Sequence, residues 1–193
     1  LRQGDATSAG AFDGVLARDG AAVIAARLEW SDGAAEPWAE ELAALGEAAP
    51  VAVRYRTDHA LAEAEAWPAR LAASRARDLA RGQSHVGPHR DDLVFALGGH
   101  ALRDYGSTGQ QRSAAIALRF LEQETLAARR GVRPALLVDD VFAVLDAERQ
   151  RRLAERLVRR PGQRIVTAPR LEELPRQLEL PRQFLEPRRR DRK

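Results

Sequence analysis

Ser107-Thr108-Gly109-Gln110-Gln111-Arg112 is followed by Ala135-Leu136-Leu137-Val138-Asp139-Asp140 and closed by Leu145-Asp146. That order of segments sets the architecture expected of the whole chain. A hydroxyl and a glycine amide at a helix N-terminus present donors along a favourable dipole to an anion. An apolar strand that ends in two carboxylates is where a metal and an attacking water are managed in nucleoside triphosphate hydrolysis. Asp139 is then the residue expected to hold Mg²⁺, and Asp140 the one to orient or deprotonate the water. Each piece also has a plainer reading. Ser, Thr and Gly before a helix are ordinary capping residues, and an apolar strand followed by Asp-Asp arises without any catalysis. The lysine of a G-x-x-x-x-G-K-[ST] phosphate loop is absent, since the one lysine is Lys193. The chain is expected to be part of an ATPase, truncated, with the other half of its site elsewhere.

Outward from this segment, strands and helices alternate. Leu93, Phe95 and Leu97 alternate before Gly98-Gly99, and Ala101-Leu102 follows, which predicts a hairpin. A helix is expected from about Gln110 to Arg130, stopped by Gly131 and Pro134 ahead of the apolar strand. Asp146 is placed to cap a helix over Ala147 to about Arg159, and Pro161-Gly162 precedes a short strand at Ile165-Val166. Strand, helix, strand in this order reads as half of an α/β sandwich.

The first eighty or so residues read as a helical module. Leu16, Val23, Ile24 and Leu28 recur at near-helical spacing. A second helix is expected to carry Trp38, Leu42 and Leu45, with Pro37 in its first turn. Val51, Val53 and Tyr55 suggest one short strand. Asp58 would cap an Ala-rich helix to about Arg81, kinked or restarted at Trp67-Pro68 and terminated by Gly82. Trp30, Trp38 and Trp67 are expected to pack, not to stack on bases. The domain division predicted from this pattern is 1–82, mainly helical and arm-like, and 83–193, the α/β part.

The 193 residues contain no cysteine and no methionine. That excludes disulfides and Cys-ligated metal sites and fits a reducing compartment. No apolar run approaches the roughly 20 residues a bilayer requires, so a cytoplasmic protein without a membrane role is expected. From Arg149 to Lys193 there are 15 basic and 6 acidic residues, so that segment carries +9 against a chain total of +3. A basic C-terminal face can attract a polyanion such as DNA. The alternative is that the arginine richness reflects genome composition and that Pro187-Arg188-Arg189-Arg190-Asp191-Arg192-Lys193 is only a solubilising tail.

Three segments together carry a resemblance: Ser84-His85-Val86-Gly87-Pro88-His89-Arg90-Asp91-Asp92-Leu93, then Ser107 to Ser113, then Leu136 to Asp146. In that order and spacing they resemble the RecF family of DNA replication and repair proteins, clearly over about Leu71 to Thr167 and more loosely before it. The resemblance implies the C-terminal lobe of an ABC-type ATPase head, similar to the heads of SMC proteins, with an inserted helical domain. It implies a dimer with ATP sandwiched between subunits, and Mg²⁺ with it. Ser107, Gly109 and Gln110 then lie in the signature motif that reaches the γ-phosphate held by the partner. Asp139 and Asp140 match the Walker B carboxylates, Asp146 the D-loop, and Thr167 falls near the switch residue. Two positions depart from the family pattern: Ala143, where serine is common, and Thr167-Ala168-Pro169, usually more polar. The family's partners, on this likeness, are single- and double-stranded DNA with gap junctions, RecR, RecO and, through them, RecA.

Gly87-Pro88-His89-Arg90-Asp91-Asp92 contains His-Arg-Asp, which opens the protein-kinase catalytic loop. The kinase reading fails, because the chain has no asparagine and no internal lysine. The segment is expected to join the helical module to the head by hydrogen bonds and ion pairs. His59 and His100 are expected at the surface. The competing class for the whole chain is a non-catalytic DNA- or protein-interaction module whose aspartates are structural, or another ABC-type, SMC-like head; the absence of a sustained heptad run weakens a coiled-coil tether.

Overall fold

The computed structural model describes residues 10–176 and residue 178. Its elements in order are α1 (Asp13–Ala44), β1 (Val51–Arg56), α2 (Trp67–Arg81), β2 (Asp92–Leu97), β3 (His100–Ala101), α3 (Leu102–Tyr105), α4 (Thr108–Arg130), β4 (Leu136–Asp139), α5 (Ala147–Arg159) and β5 (Arg164–Thr167), with short 3₁₀ turns between some of them. They form two compact units, one of Leu1–Glu40 with Ala49–Ser107 and one of Glu41–Ala48 with Thr108–Lys193. Among the described residues no helix is long and apolar enough to cross a membrane.

The first unit is not purely helical. β1 pairs antiparallel with β2 from Val51 opposite Leu97 to Arg56 opposite Asp92, and β3 adds to β2. Gly98 and Gly99, at φ 60 and 84, make the two-residue turn between β2 and β3, the conformation that a tight hairpin demands and that glycine adopts freely. The division expected after Gly82 therefore differs from the observed one. β2 returns to pair with the single strand of the preceding module, which pulls 83–107 into the first unit.

Where two helices were expected around Pro37, a single helix of 32 residues runs through it. Proline removes one backbone bond and presses on the carbonyl four residues earlier. That carbonyl belongs to Gly33, the residue type most able to turn it aside. Ala34, Trp38 and Leu42 are buried on both sides of the proline, so packing outweighs the local break.

The apolar face of α1 also differs from the large residues that suggested it. Leu16 and Val23 are exposed, whereas Ala17, Ala21 and Ile24 are buried with Tyr55, Leu61, Trp67 and Leu71. Gly20 explains the choice, because a Cβ there would sit 2.1 Å from Cη2 of Trp67. The indole lies directly on the α1 backbone and donates from Nε1 to the Leu61 carbonyl at 2.9 Å. Trp38 is buried as well and meets Phe95 edge-on at 5.0 Å. α2 starts at Trp67 with Pro68 in its first turn and ends at Gly82, φ 64. Asp58 caps only a 3₁₀ turn before it.

The segment from Gly87 to Asp92 works within this unit. The Asp91 carboxylate accepts from the Tyr55 hydroxyl and from Thr57 Oγ1 at 2.9 Å. Arg27 donates to the Pro88 carbonyl at 2.7 Å, and a ring nitrogen of His89 lies 3.0 Å from the Ser84 carbonyl. These bonds fasten the start of β2 to α1 and β1. His59 and His100 are exposed.

In the second unit, β4 and β5 form a parallel pair from Leu136 opposite Arg164 to Asp139 opposite Thr167, with α5 as the crossover. Leu136 and Val138 face inward, and α4 and α5 bury Phe120, Leu121, Leu153 and Leu157. The opposite strand face carries Leu137 at 71% and Ile165 at 47% exposure. Parallel sheets are ordinarily covered on both faces.

Candidate functional site

The second unit holds the aspartates and the glycine that sequence singled out, in two clusters at the ends of the β4–α5 connection. At the first, β4 delivers Asp139 to its C-terminal end, the edge where α/β folds place ligands. The Asp139 carboxylate accepts from the Thr167 hydroxyl, the residue directly opposite on β5. The next backbone N–H, of Asp140, donates to Thr167 Oγ1 at 3.1 Å and to its carbonyl at 3.3 Å. Asp140 takes φ 49, the one positive value among the described non-glycine residues. Aspartate is among the few side chains that tolerate this left-handed conformation. Both carboxylates are exposed.

The connection itself is pinned from three directions. Phe142 is buried. Gln150 donates to the carbonyls of Phe142 and Leu145 at 2.7 and 3.0 Å, and Arg112 of α4 donates to the Val144 carbonyl at 2.6 Å. Asp146 caps α5 by accepting from the Arg149 backbone N–H at 2.9 Å. That bond and the Arg149 guanidinium hold the Asp146 carboxyl below the usual aspartate range.

The second cluster surrounds Arg149, whose two amino nitrogens bond Glu47, at 2.5 Å, and Asp146. Its guanidinium also lies against the first turn of α4, because a Cβ on Gly109 would be 3.3 Å from Arg149 Cζ. Gly109 and Asp146, far apart in sequence, thus meet at one arginine. Ser107 stands exposed just before α4 and Gln110 half-buried in its first turn.

Sequence reasoning gave no role to Arg112, Arg149 or Gln150. Arg112 lies in the quoted Ser107–Arg112 run, where its charge was a signal. Arg149 opens the +9 segment but read there only as part of a polyanion surface. In the structure part of that charge is met within the unit: Arg151 and Arg152 pair with Glu148, Arg156 and Arg160 with Glu41, and Arg164 donates to the carbonyls of Leu157 and Arg160. The tail at 187–193 lies outside the described residues. Nothing in the pattern marked Gln150.

A parallel strand pair joined by a crossover helix, with carboxylates at one strand end and a glycine-bearing helix start beside the next loop, is the arrangement of a partial α/β ATPase head of the ABC type. The solved structure of the recombination mediator protein RecF-ATPrS in the RecFOR pathway matches with TM-score 0.72 and 27% identity, over 89% of this chain and 47% of that one. Its RecF-ATP counterpart matches with TM-score 0.67 and 28% identity, over 83% and 44%. The chain is RecF-like and corresponds to the C-terminal part of RecF. The DNA replication and repair protein RecF of Frankia alni is 40% identical over 178 residues, 86% of this chain and 47% of the relative. That of Chloroflexus aggregans is 47% identical over 103 residues, 53% of this chain and 26% of the relative. The chain spans about half or less of the length of these relatives. No family model matches it.

Proposed function

We propose that this chain supplies the signature, Walker B and D-loop part of a RecF-like ATPase that acts on DNA in replication and recombinational repair. The observation that carries the reading is the Asp139–Asp140–Thr167 cluster: two exposed carboxylates at the end of a parallel strand, the second held in a left-handed turn by the threonine on the neighbouring strand. The names of the relatives supply the DNA, and the nucleotide-bound neighbours supply the ATP.

In this reading Ser107, Gly109 and Gln110 offer donors at the start of α4 to the γ-phosphate of a nucleotide bound by a second subunit. Asp140 accepts a hydrogen bond from the attacking water and takes its proton. Asp146 belongs to the same face through Arg149. Mg²⁺ fits Asp139, because one Asp139 oxygen accepts from Thr167 and the other is open to a cation that uses one or two carboxylates and completes its shell with phosphate and water. Among the described residues there is no group of three or more His, Asp or Glu that would make an all-protein cage. When bound, the ion supplies charge neutralisation at the phosphates. The exposed Leu137–Ile165 face beneath Asp139 gives a covering lobe an apolar seat.

The finer reading is an ATP-dependent homodimer on single- or double-stranded DNA and gap junctions, working with RecO and RecR to load RecA in the cytoplasm. Arg156 and Arg160 are taken up by Glu41, so in this reading DNA contact falls to other basic residues.

The test uses the full-length protein that carries this segment. Asn tolerates the left-handed conformation as Asp does, so Asp140→Asn removes the basicity and keeps the turn. ATP should still bind while hydrolysis falls by about 10²-fold or more. Hydrolysis at the unmodified rate overturns the catalytic assignment and favours a purely structural role for the pair.

A further inference from the structure

Arg149, Arg152, Arg156 and Arg160 recur along α5 and the residue after it at spacings of three and four, so they share one helix face. Along that face runs the segment Glu41–Ala48, which belongs to the same unit. The Glu41 carboxylate accepts from Arg156 at 2.7 and 2.8 Å and from Arg160 at 2.7 Å. Gly46 packs on the Arg152 side chain, where an added Cβ would lie 3.5 Å from its Cδ. Glu47, with its side chain only 9% exposed, ends the row on Arg149.

We propose that Arg149 is a positioning residue of the nucleotide site, held by Glu47 so that its guanidinium locks the D-loop carboxylate of Asp146 against the first turn of α4 at Gly109. The inference rests on the site reading above and adds a pair, Glu47 and Arg149, that touches no substrate.

Three observations separate this from an ordinary surface ion pair. An exposed pair three residues apart on a helix contributes little to stability and constrains little. Arg149, however, reaches a buried carboxylate far from it in sequence, and burial protects that contact from screening. Its Nε is buried and makes no hydrogen bond among the described residues, so the two amino nitrogens, on Glu47 and Asp146, are what fix the guanidinium. The third observation is Gly109 itself. The guanidinium occupies the space a side chain would fill, so the helix start and the D-loop are set by one group. In a site shared between subunits, both elements must meet one nucleotide, and a misplacement of about 1 Å can cost on the order of 10²-fold in rate.

The experiment has two arms. In the 193-residue chain, amide hydrogen exchange is followed at 108–112 and 146–150 for the unmodified protein, Arg149→Ala, Arg149→Lys and Glu47→Gln. Faster exchange in both segments, by about tenfold, is expected for Arg149→Ala and Glu47→Gln, with Arg149→Lys in between. Exchange unchanged in either segment overturns the proposal. In the full-length protein, Arg149→Ala and Glu47→Gln should lower kcat by about 10²-fold while KM for ATP stays within about twofold, as for an interaction expressed in the transition state. Unmodified kcat in these variants, with Asp140→Asn inactive, overturns the positioning role and leaves the ATPase reading intact. If Asp140→Asn is fully active the ATPase reading falls, and the exchange arm alone decides whether Arg149 locks the two segments. Should Arg149→Ala lower the melting temperature, Arg149→Lys and Glu47→Gln carry both arms.

Discussion

Removing the Glu41 carboxylate should be among the most damaging single changes in the second unit. Glu41 is buried, and both its oxygens are taken, one by Arg156 and the other shared between Arg156 and Arg160. Arg160 is 3% exposed at its side chain, with its guanidinium 4.3 Å from the Phe120 ring centre. In Glu41→Ala, Arg156 can swing to water, but Arg160 cannot. It keeps Glu124 at 2.8 Å and the Phe120 carbonyl at 3.1 Å, so the loss falls at the lower end of the range for breaking a buried pair, about 3 kcal/mol. Glu41→Gln keeps the shape and loses the charge, and about 1.5–3 kcal/mol is expected. Urea unfolding followed by far-ultraviolet circular dichroism measures both. A loss below about 1 kcal/mol for Glu41→Ala, the scale of an exposed pair, would show that Arg160 is solvated and that the buried network is not what holds Glu41–Ala48 to α5.

Further outcomes follow from the same structure. Gly20→Ala puts a methyl group into the Trp67 ring and should cost about 1–3 kcal/mol as overpacking, with an altered near-ultraviolet dichroism; an unchanged spectrum and melting temperature would refute the close approach. Acid should destabilise the fold. Glu41, Asp78, Asp146 and Glu148 are all held below their ordinary pKa values, Glu148 to about 2 by Arg151 and Arg152. Burial pulls Glu41 and Asp78 upward, but donors outweigh it, from Arg156 and Arg160 in one case and from Ser74 and His85 in the other. A lowered folded pKa stabilises above the unfolded value and is lost as protons bind, so the melting temperature should fall steadily from pH 4.5 toward pH 2, and a flat profile there contradicts the pairing. The 193-residue chain has no phosphate-loop lysine and should bind Mg-ATP more weakly than micromolar by calorimetry; micromolar affinity would mean that the half-site suffices.

What was legible in the sequence had short-range causes. β4, α5 and its Asp146 cap, and the Gly98-Gly99 hairpin could be read because strand alternation, a capping carboxylate and paired glycines act through neighbours a few residues away. α1 was harder. Its buried face is made of Ala17, Gly20 and Ala21 because an indole from α2 needs the room, and no hydrophobicity scale ranks those residues above Leu16 or Val23. Pro37 misled for a related reason, since the burial of Trp38 and Leu42 beyond it outweighs one lost backbone bond. At the candidate site, Asp139, Asp140 and Asp146 stood out by their place at element ends. Arg149 did not, because its meaning depends on Glu47 and Gly109, which chain order separates and the fold brings together.

The division into units has a spectroscopic consequence. Trp30, Trp38, Trp67, Tyr55 and Tyr105 all belong to the first unit, and the second, with both site clusters, contains no tryptophan or tyrosine. The intrinsic fluorophores of this chain are therefore all carried by the first unit. The aspartate clusters have no native fluorophore in their own unit. Conversely, a single tryptophan placed beside Asp139, with the native three replaced by phenylalanine, would report on the site without background, and the absence of cysteine allows an acceptor dye to be attached at one chosen position.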